Sequence, residues 1–187
     1  YTFTVDPATD YIIRVRAELK GPSWDVEVRN NVDTSGSPPP LENRPIYVMD
    51  QAINSGIVNN PGMNLTATTG WGGDSYTSAR VAAPFAVLDT IYSAIQFVAA
   101  EDASANFPPL DAFWSADNKA ASPTDIDAGD LPTSFYNGQS QLFLLGMDGG
   151  DTEEFDDHVI THEWSHYFED NFSRSDSIGG SHFIGRD

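Results

Sequence analysis

An α+β fold is the class the sequence predicts, and three observations carry that reading. Apolar and polar residues alternate with period two through the first thirty residues. A long apolar segment near the middle repeats at three- and four-residue spacing, and a second helix-periodic segment near the end carries two histidines four residues apart. Strands first and helices later, without a regular strand–helix alternation, argue for α+β rather than a doubly wound sheet.

The alternation sets Tyr1, Phe3 and Val5, then Ile13, Val15, Ala17 and Leu19, then Trp24, Val26 and Val28 on one side of their strands. Gly21, Pro22 and Ser23 form a turn between the second and third runs, which predicts an antiparallel hairpin ending near Arg29. Three strands make a poor domain alone. Residues 1–30 are therefore expected to be the tail of a β-sandwich module or to pack on the domain C-terminal to them. Residues 31–45, rich in Pro, Ser and Asn with Pro38–Pro40 in series, read as an extended linker and domain boundary. Residues 46–49 are a short strand candidate, and 54–73 are loop-rich.

A helix is expected to start near Ser78, with Val81, Phe85, Leu88, Ile91, Tyr92, Ile95 and Val98 on its apolar stripe and Pro84 in its first turn or kinking it. A strand follows Pro108 and Pro109. Residues 134–145 read as strand, turn, strand, because Asn137 and Gly138 divide Phe135 and Tyr136 from the run that starts at Leu142. After an acidic loop, Asp156 or Asp157 is placed to cap a helix running to about Phe172.

Composition narrows the chemistry. The chain has 187 residues, 9 Lys and Arg against 28 Asp and Glu, and a net charge of -19, which repels nucleic acid and anionic membrane surfaces. Its apolar stretch over 84–100 is interrupted by Asp89, Thr90, Ser93 and Gln96, so no membrane insertion is expected. Cysteine is absent, which leaves His, Asp and Glu as the only strong metal ligands. Tyr1 begins inside a strand pattern, so the start reads as a processed or trimmed end, and the acidic, Lys-poor surface suggests a secreted, extracellular protein.

His162, Glu163 and His166 form an HExxH motif. On a helix the two histidines share one face and can place two nitrogens on one zinc ion, while Glu163 is positioned to take a proton from water. Three fixed positions coincide by chance in a chain of this length about 1% of the time. Placement on a capped helix lowers that further. The motif predicts hydrolysis of a peptide or protein substrate, with His162 and His166 as metal ligands and Glu163 as the catalytic base.

The order of a long apolar helix, the Phe113-Trp114 strand, the Asn137-Gly138 hairpin, an Asp-Gly loop and the HExxH helix resembles the N-terminal half of thermolysin-like and fungalysin-like gluzincins, over roughly Ile46 to the end. The resemblance implies a zincin-like subdomain of mixed sheet plus active-site helix over 46–187. It implies that Ser134, Phe135 and Tyr136 form an antiparallel edge that binds the substrate backbone. It also implies a third zinc ligand, a Glu on a second helix, but no Glu follows Glu169. That ligand is expected beyond Asp187, with Asp176, His182 and Asp187 as weaker nominees within the chain. The metzincin spacing is excluded, because Phe172 stands where its third His would be.

Asp170, one further turn along the histidine stripe, is a candidate partner that orients His166 or a neighbouring group. His158, one turn before His162, is expected to pack or cap. Asp148, Asp151, Glu153, Glu154, Asp156 and Asp157 are dense enough in oxygen to hold calcium, although a plain solvated acidic loop is the preferred reading. The alternative function is a secreted structural or adhesive protein that retains a catalytically incomplete peptidase fold. Alone, residues 1–187 are expected to be inactive.

Overall fold

Two kinds of sheet organise the chain, which the computed structural model describes over residues 10–53 and 64–174. Tyr11–Arg16 (β1) pairs antiparallel with Val48–Ile53 (β4) as a two-stranded ribbon. The main sheet has five strands. Glu18–Lys20 (β2) lies at one edge and pairs antiparallel with Asp25–Arg29 (β3), and the turn between them closes with the Gly21 N–H on the Trp24 carbonyl at 2.9 Å. Next come Leu110–Trp114 (β5) and Gln141–Leu144 (β9), each parallel to its neighbour, and Phe135–Tyr136 (β8) pairs antiparallel with β9 to form the other edge. A small parallel pair, Lys119–Ala120 (β6) and Asp130–Leu131 (β7), lies in the connection between β5 and β8.

Alternation along the strands divides the apolar residues between two faces. Val26, Val28, Leu110, Ala112, Trp114, Leu142 and Leu144 bury into one cluster with both helices. Ala83–Glu101 (α1) contributes Ala83, Val87, Ile91 and Ile95, and Asp157–Phe172 (α2) contributes Ile160, Trp164 and Tyr167. The opposite face carries Phe113, Phe143 and Leu145, joined by Leu131 and by the half-buried Phe135, Leu41 and Ile126. Phe143 stacks against both Phe113 and Phe135 with ring centroids 4.9 Å apart in each pair.

The chain is α+β, as its sequence predicts, but the boundary expected at 31–45 does not divide the sheet. Strands β3 and β5, which lie on either side of that segment, pair directly from Val26 with Leu110 to Arg29 with Phe113. The segment itself is packed. Asn31 and Asn118 are fully buried and exchange amide hydrogen bonds at 2.9 Å, and Arg44, 2% exposed, donates to the Asn31 carbonyl at 2.9 Å and pairs with Asp127. Buried amides and a buried cation look like linker composition in one dimension, yet in the fold they satisfy one another.

Burial corrects two smaller expectations. The run from Ile13 to Leu19 is not one strand with one inner face, since it breaks at the fully buried Ala17, whose N–H donates to the Tyr47 carbonyl at 2.8 Å, and Val15 points outward. Helix α1 begins at Ala83 rather than Ser78, with Pro84 in its first turn, where a missing N–H costs nothing. The expected strand at Tyr1, Phe3 and Val5 and the loop at 54–63 lie outside the described residues.

Candidate functional site

The site is built on α2. Asp156 caps it, its carboxylate accepting the His158 and Val159 N–H groups at 3.0 and 3.2 Å. Asp157 in the first turn complements the positive end of the helix and accepts the Thr90 hydroxyl of α1 at 2.6 Å. Ile160, Trp164 and Tyr167, at spacings of four and three, are buried against the sheet and α1 and so fix the rotation of the helix about its axis. The Tyr167 hydroxyl, donating to the Pro108 carbonyl at 2.5 Å, adds a second constraint.

With that face buried, His162 and His166 project from the outer side, His162 exposed and His166 half-buried. Their Nε2 atoms lie 3.3 Å apart, with the rings nearly perpendicular. Two nitrogens bound to one tetrahedral zinc at about 2.0–2.1 Å each stand about 3.3–3.4 Å from one another. The histidine pair therefore has the spacing of one edge of a tetrahedral zinc shell, and its donor chemistry fits that ion. Among the described residues no group of three His, Asp or Glu side chains converges to complete a shell. Asp176, His182 and Asp187, the nominees within the chain for a third ligand, lie outside the described residues.

Glu163 is 8% exposed and turns toward the sheet edge, where its Oε2 accepts the Tyr136 N–H at 3.0 Å. This bond is possible because β8 is an edge. Phe135 pairs with Phe143, and the Asn137 N–H donates to the Gln141 carbonyl at 3.0 Å. In an antiparallel ladder the inward-bonding residues alternate with outward-facing ones, so the backbone groups of Ser134 and Tyr136 face away from β9. Gly138, at φ 75°, supplies the left-handed residue that lets the chain turn back into β9.

The three residues expected on this edge divide into different roles. Tyr136 lies at the site: its N–H meets Glu163, and its hydroxyl donates to Asp170 at 2.8 Å while accepting the Ser140 N–H at 3.2 Å. Burial raises its phenol above the ordinary range, with Asp170 pushing the same way and the Ser140 N–H opposing. Phe135 turns its ring into the far cluster, and the Ser134 hydroxyl is buried and engaged inside the protein, so these two offer only backbone to the open edge. Asp170 binds the Tyr136 hydroxyl and thus ties α2 to β8. His158 is exposed in the first turn of α2.

Sequence reading missed the inward turn of two acidic residues. Glu154 is fully buried and pairs with Arg80 at 2.5 Å, and the Arg80 guanidinium lies over the rings of Tyr76 and Trp114 at 4.3 and 5.3 Å. Glu153 is 7% exposed and accepts the Ser134 hydroxyl. Burial pushes Glu153 up to about 7, helped by the charges of Asp151, Glu163 and Asp156 and opposed by a backbone hydrogen bond with Leu145. Both side chains are thus committed inward, and among the described residues no three acidic side chains of this loop come together as a metal-binding group. No local signal marks either residue, because their partners stand 74 and 19 positions away.

Comparison with protein-family models, with curated proteins and with solved structures finds no match.

Proposed function

We propose that this chain carries the HExxH half of a zinc-dependent endopeptidase site, on a zincin-like subdomain of the gluzincin kind. One observation carries the reading: the two histidine Nε2 atoms stand 3.3 Å apart beside a buried Glu163 that is hydrogen-bonded to the sheet edge. A structural helix has no need to hold two imidazoles at the spacing of a zinc shell.

His162 and His166 would hold the ion through Nε2. Zinc in such a site supplies Lewis acidity, polarising a peptide carbonyl and acidifying water. Glu163 takes the proton of the attacking water and passes it to the leaving amine. The Tyr136 N–H fixes one carboxylate oxygen and leaves the other for that proton. An extended peptide can add to the outward-facing backbone of Ser134 and to the Tyr136 carbonyl, the Tyr136 N–H being held by Glu163. The third ligand belongs to residues outside those described.

Glu163→Gln tests the division of labour. In a longer protein that supplies the third ligand, hydrolysis of an unfolded protein substrate should fall by at least about a thousandfold while bound zinc stays near stoichiometric, whereas His162→Ala and His166→Ala should lose zinc as well. Retained hydrolysis in Glu163→Gln would refute the mechanism. A scaffold that retains the fold without turnover would instead bind no stoichiometric zinc.

A further inference from the structure

We propose that Glu153 is a positioning residue for the Glu163 carboxylate, acting through Ser134 to hold the edge strand β8 where the Tyr136 N–H can reach it. The catalytic meaning rests on the peptidase reading, but the clamp itself is a matter of geometry.

Strand β8 is only two residues long, so its ladder with β9 cannot hold it rigidly. It is anchored at both ends instead. On the turn side, Asn137 donates to Gln141 through both its N–H, at 3.0 Å, and its side-chain amide, at 2.7 Å. At the entry, the Ser134 hydroxyl donates to Glu153 and accepts the Leu145 N–H at 2.9 Å, while the Glu153 N–H donates to the Leu145 carbonyl at 3.2 Å. Three separate segments, the acidic loop, the entry to β8 and the exit of β9, meet at one buried hydroxyl. Next to Glu153, the buried pair of Glu154 with Arg80 fixes the loop itself.

Tyr136 sits between the two anchors. Its N–H meets Glu163 at 3.0 Å, and a displacement of β8 by about half an ångström takes that bond to the limit of useful geometry. Releasing Ser134 therefore frees Glu163 to leave the edge. A carboxylate is not required for this; an acceptor for the Ser134 proton is. The charged groups that bear on Glu153 are Asp151 and Asp156 from its own loop and Glu163 from α2, all acidic. Their repulsion makes a neutral acceptor at position 153 well suited to the clamp.

The test is amide hydrogen exchange at Tyr136 in the 187-residue chain, compared among the unsubstituted protein, Glu153→Gln, Glu153→Ala and Ser134→Ala. Glu153→Ala and Ser134→Ala should speed Tyr136 exchange at least about tenfold, as expected for losing a hydrogen bond to a charged group, with Val28 and Ala112, on strands that do not pair with β8, unchanged. Glu153→Gln, which keeps an acceptor for Ser134, should stay within about threefold of the unsubstituted chain. Unchanged Tyr136 exchange in folded Glu153→Ala, or equal damage from Gln and Ala, would overturn the proposal. Ser134→Ala, which opens little space, decides the matter where Glu153→Ala fails to fold. Zinc titration separates the two readings. Absence of stoichiometric zinc in a longer protein that supplies the third ligand would sink the peptidase function and leave the clamp standing, whereas normal zinc binding there with unmoved Tyr136 exchange would do the reverse.

Discussion

Replacing Arg80 by Met should be the most damaging single change near the site that leaves the motif untouched. The guanidinium is 5% exposed and its partner Glu154 is fully buried. One oxygen of Glu154 bonds Arg80, and the other has no hydrogen-bond partner among the described residues. Met keeps the length and much of the volume of the Arg stem, so the loss is mainly of charge rather than of packing. It strands a buried carboxylate, a change that costs about 3–5 kcal/mol, and it removes the cation from two aromatic faces, worth about 0.5–1 kcal/mol each at modest desolvation. A total of about 4–7 kcal/mol is a large share of the roughly 5–15 kcal/mol that holds a domain together. Urea titration at pH 7 should show this as a lower midpoint at similar slope. The double variant Arg80→Met with Glu154→Leu should recover most of the loss, because a buried ion pair replaced by apolar side chains is often neutral. A cost below about 1 kcal/mol for Arg80→Met, or a double variant no better than the single one, would mean that the fold tolerates the Glu154 charge without its partner.

Where the sequence could be read, the signals were local. The cap at Asp156 and the four-residue histidine spacing lie within one helix, and each is where its pattern predicts. The hairpins at Gly21 and at Asn137-Gly138 form for the same reason, since turn chemistry acts over four residues. The parallel pairing of β3 with β5 joins Val26 to Leu110 across 84 positions and leaves no trace in either segment. Without it, residues 31–45 read as a linker, because Asn31 and Arg44 disclose their burial only through Asn118 and Asp127. The acidic loop misled in the same way. Six acids in ten residues suggest solvent or calcium, whereas Glu153 and Glu154 turn inward to partners that periodicity cannot locate.

That difference explains why the histidine pair was legible and the surroundings of the site were not. The histidines need only a helix to stand together. The arrangement of Glu163 needs an edge strand at the right height, and that height depends on Ser134, Glu153 and the Arg80 pair, which come together only when the sheet is assembled. Each of these groups belongs to a different segment, so their joint effect on Glu163 is a property of the packed fold.

Charge governs two further outcomes. With a net charge of -19, the folded chain repels itself, so raising salt from about 10 mM to about 500 mM should raise the urea midpoint; a fall would show that attractive pairs such as Arg14 with Asp50 outweigh the repulsion. The second concerns pH. Glu153 is raised from its ordinary 4.5 to about 7, so the native state holds its proton more tightly than the unfolded chain does. The stabilisation it contributes is complete below about pH 4.5 and is lost as pH rises through about 7. Asp33 and Asp50 are lowered instead, so their contributions are lost as pH falls below their ordinary 3.8, outside this window. At about 1.4 kcal/mol per unit the Glu153 displacement sets a ceiling on the order of 3 kcal/mol. Unfolding free energies of the unsubstituted protein and of Glu153→Gln, measured from about pH 4.5 to about pH 8, should therefore diverge, the unsubstituted protein losing stability across the window relative to the variant. A constant difference between the two across that range would show that Glu153 ionises as freely in the folded protein as in the unfolded chain.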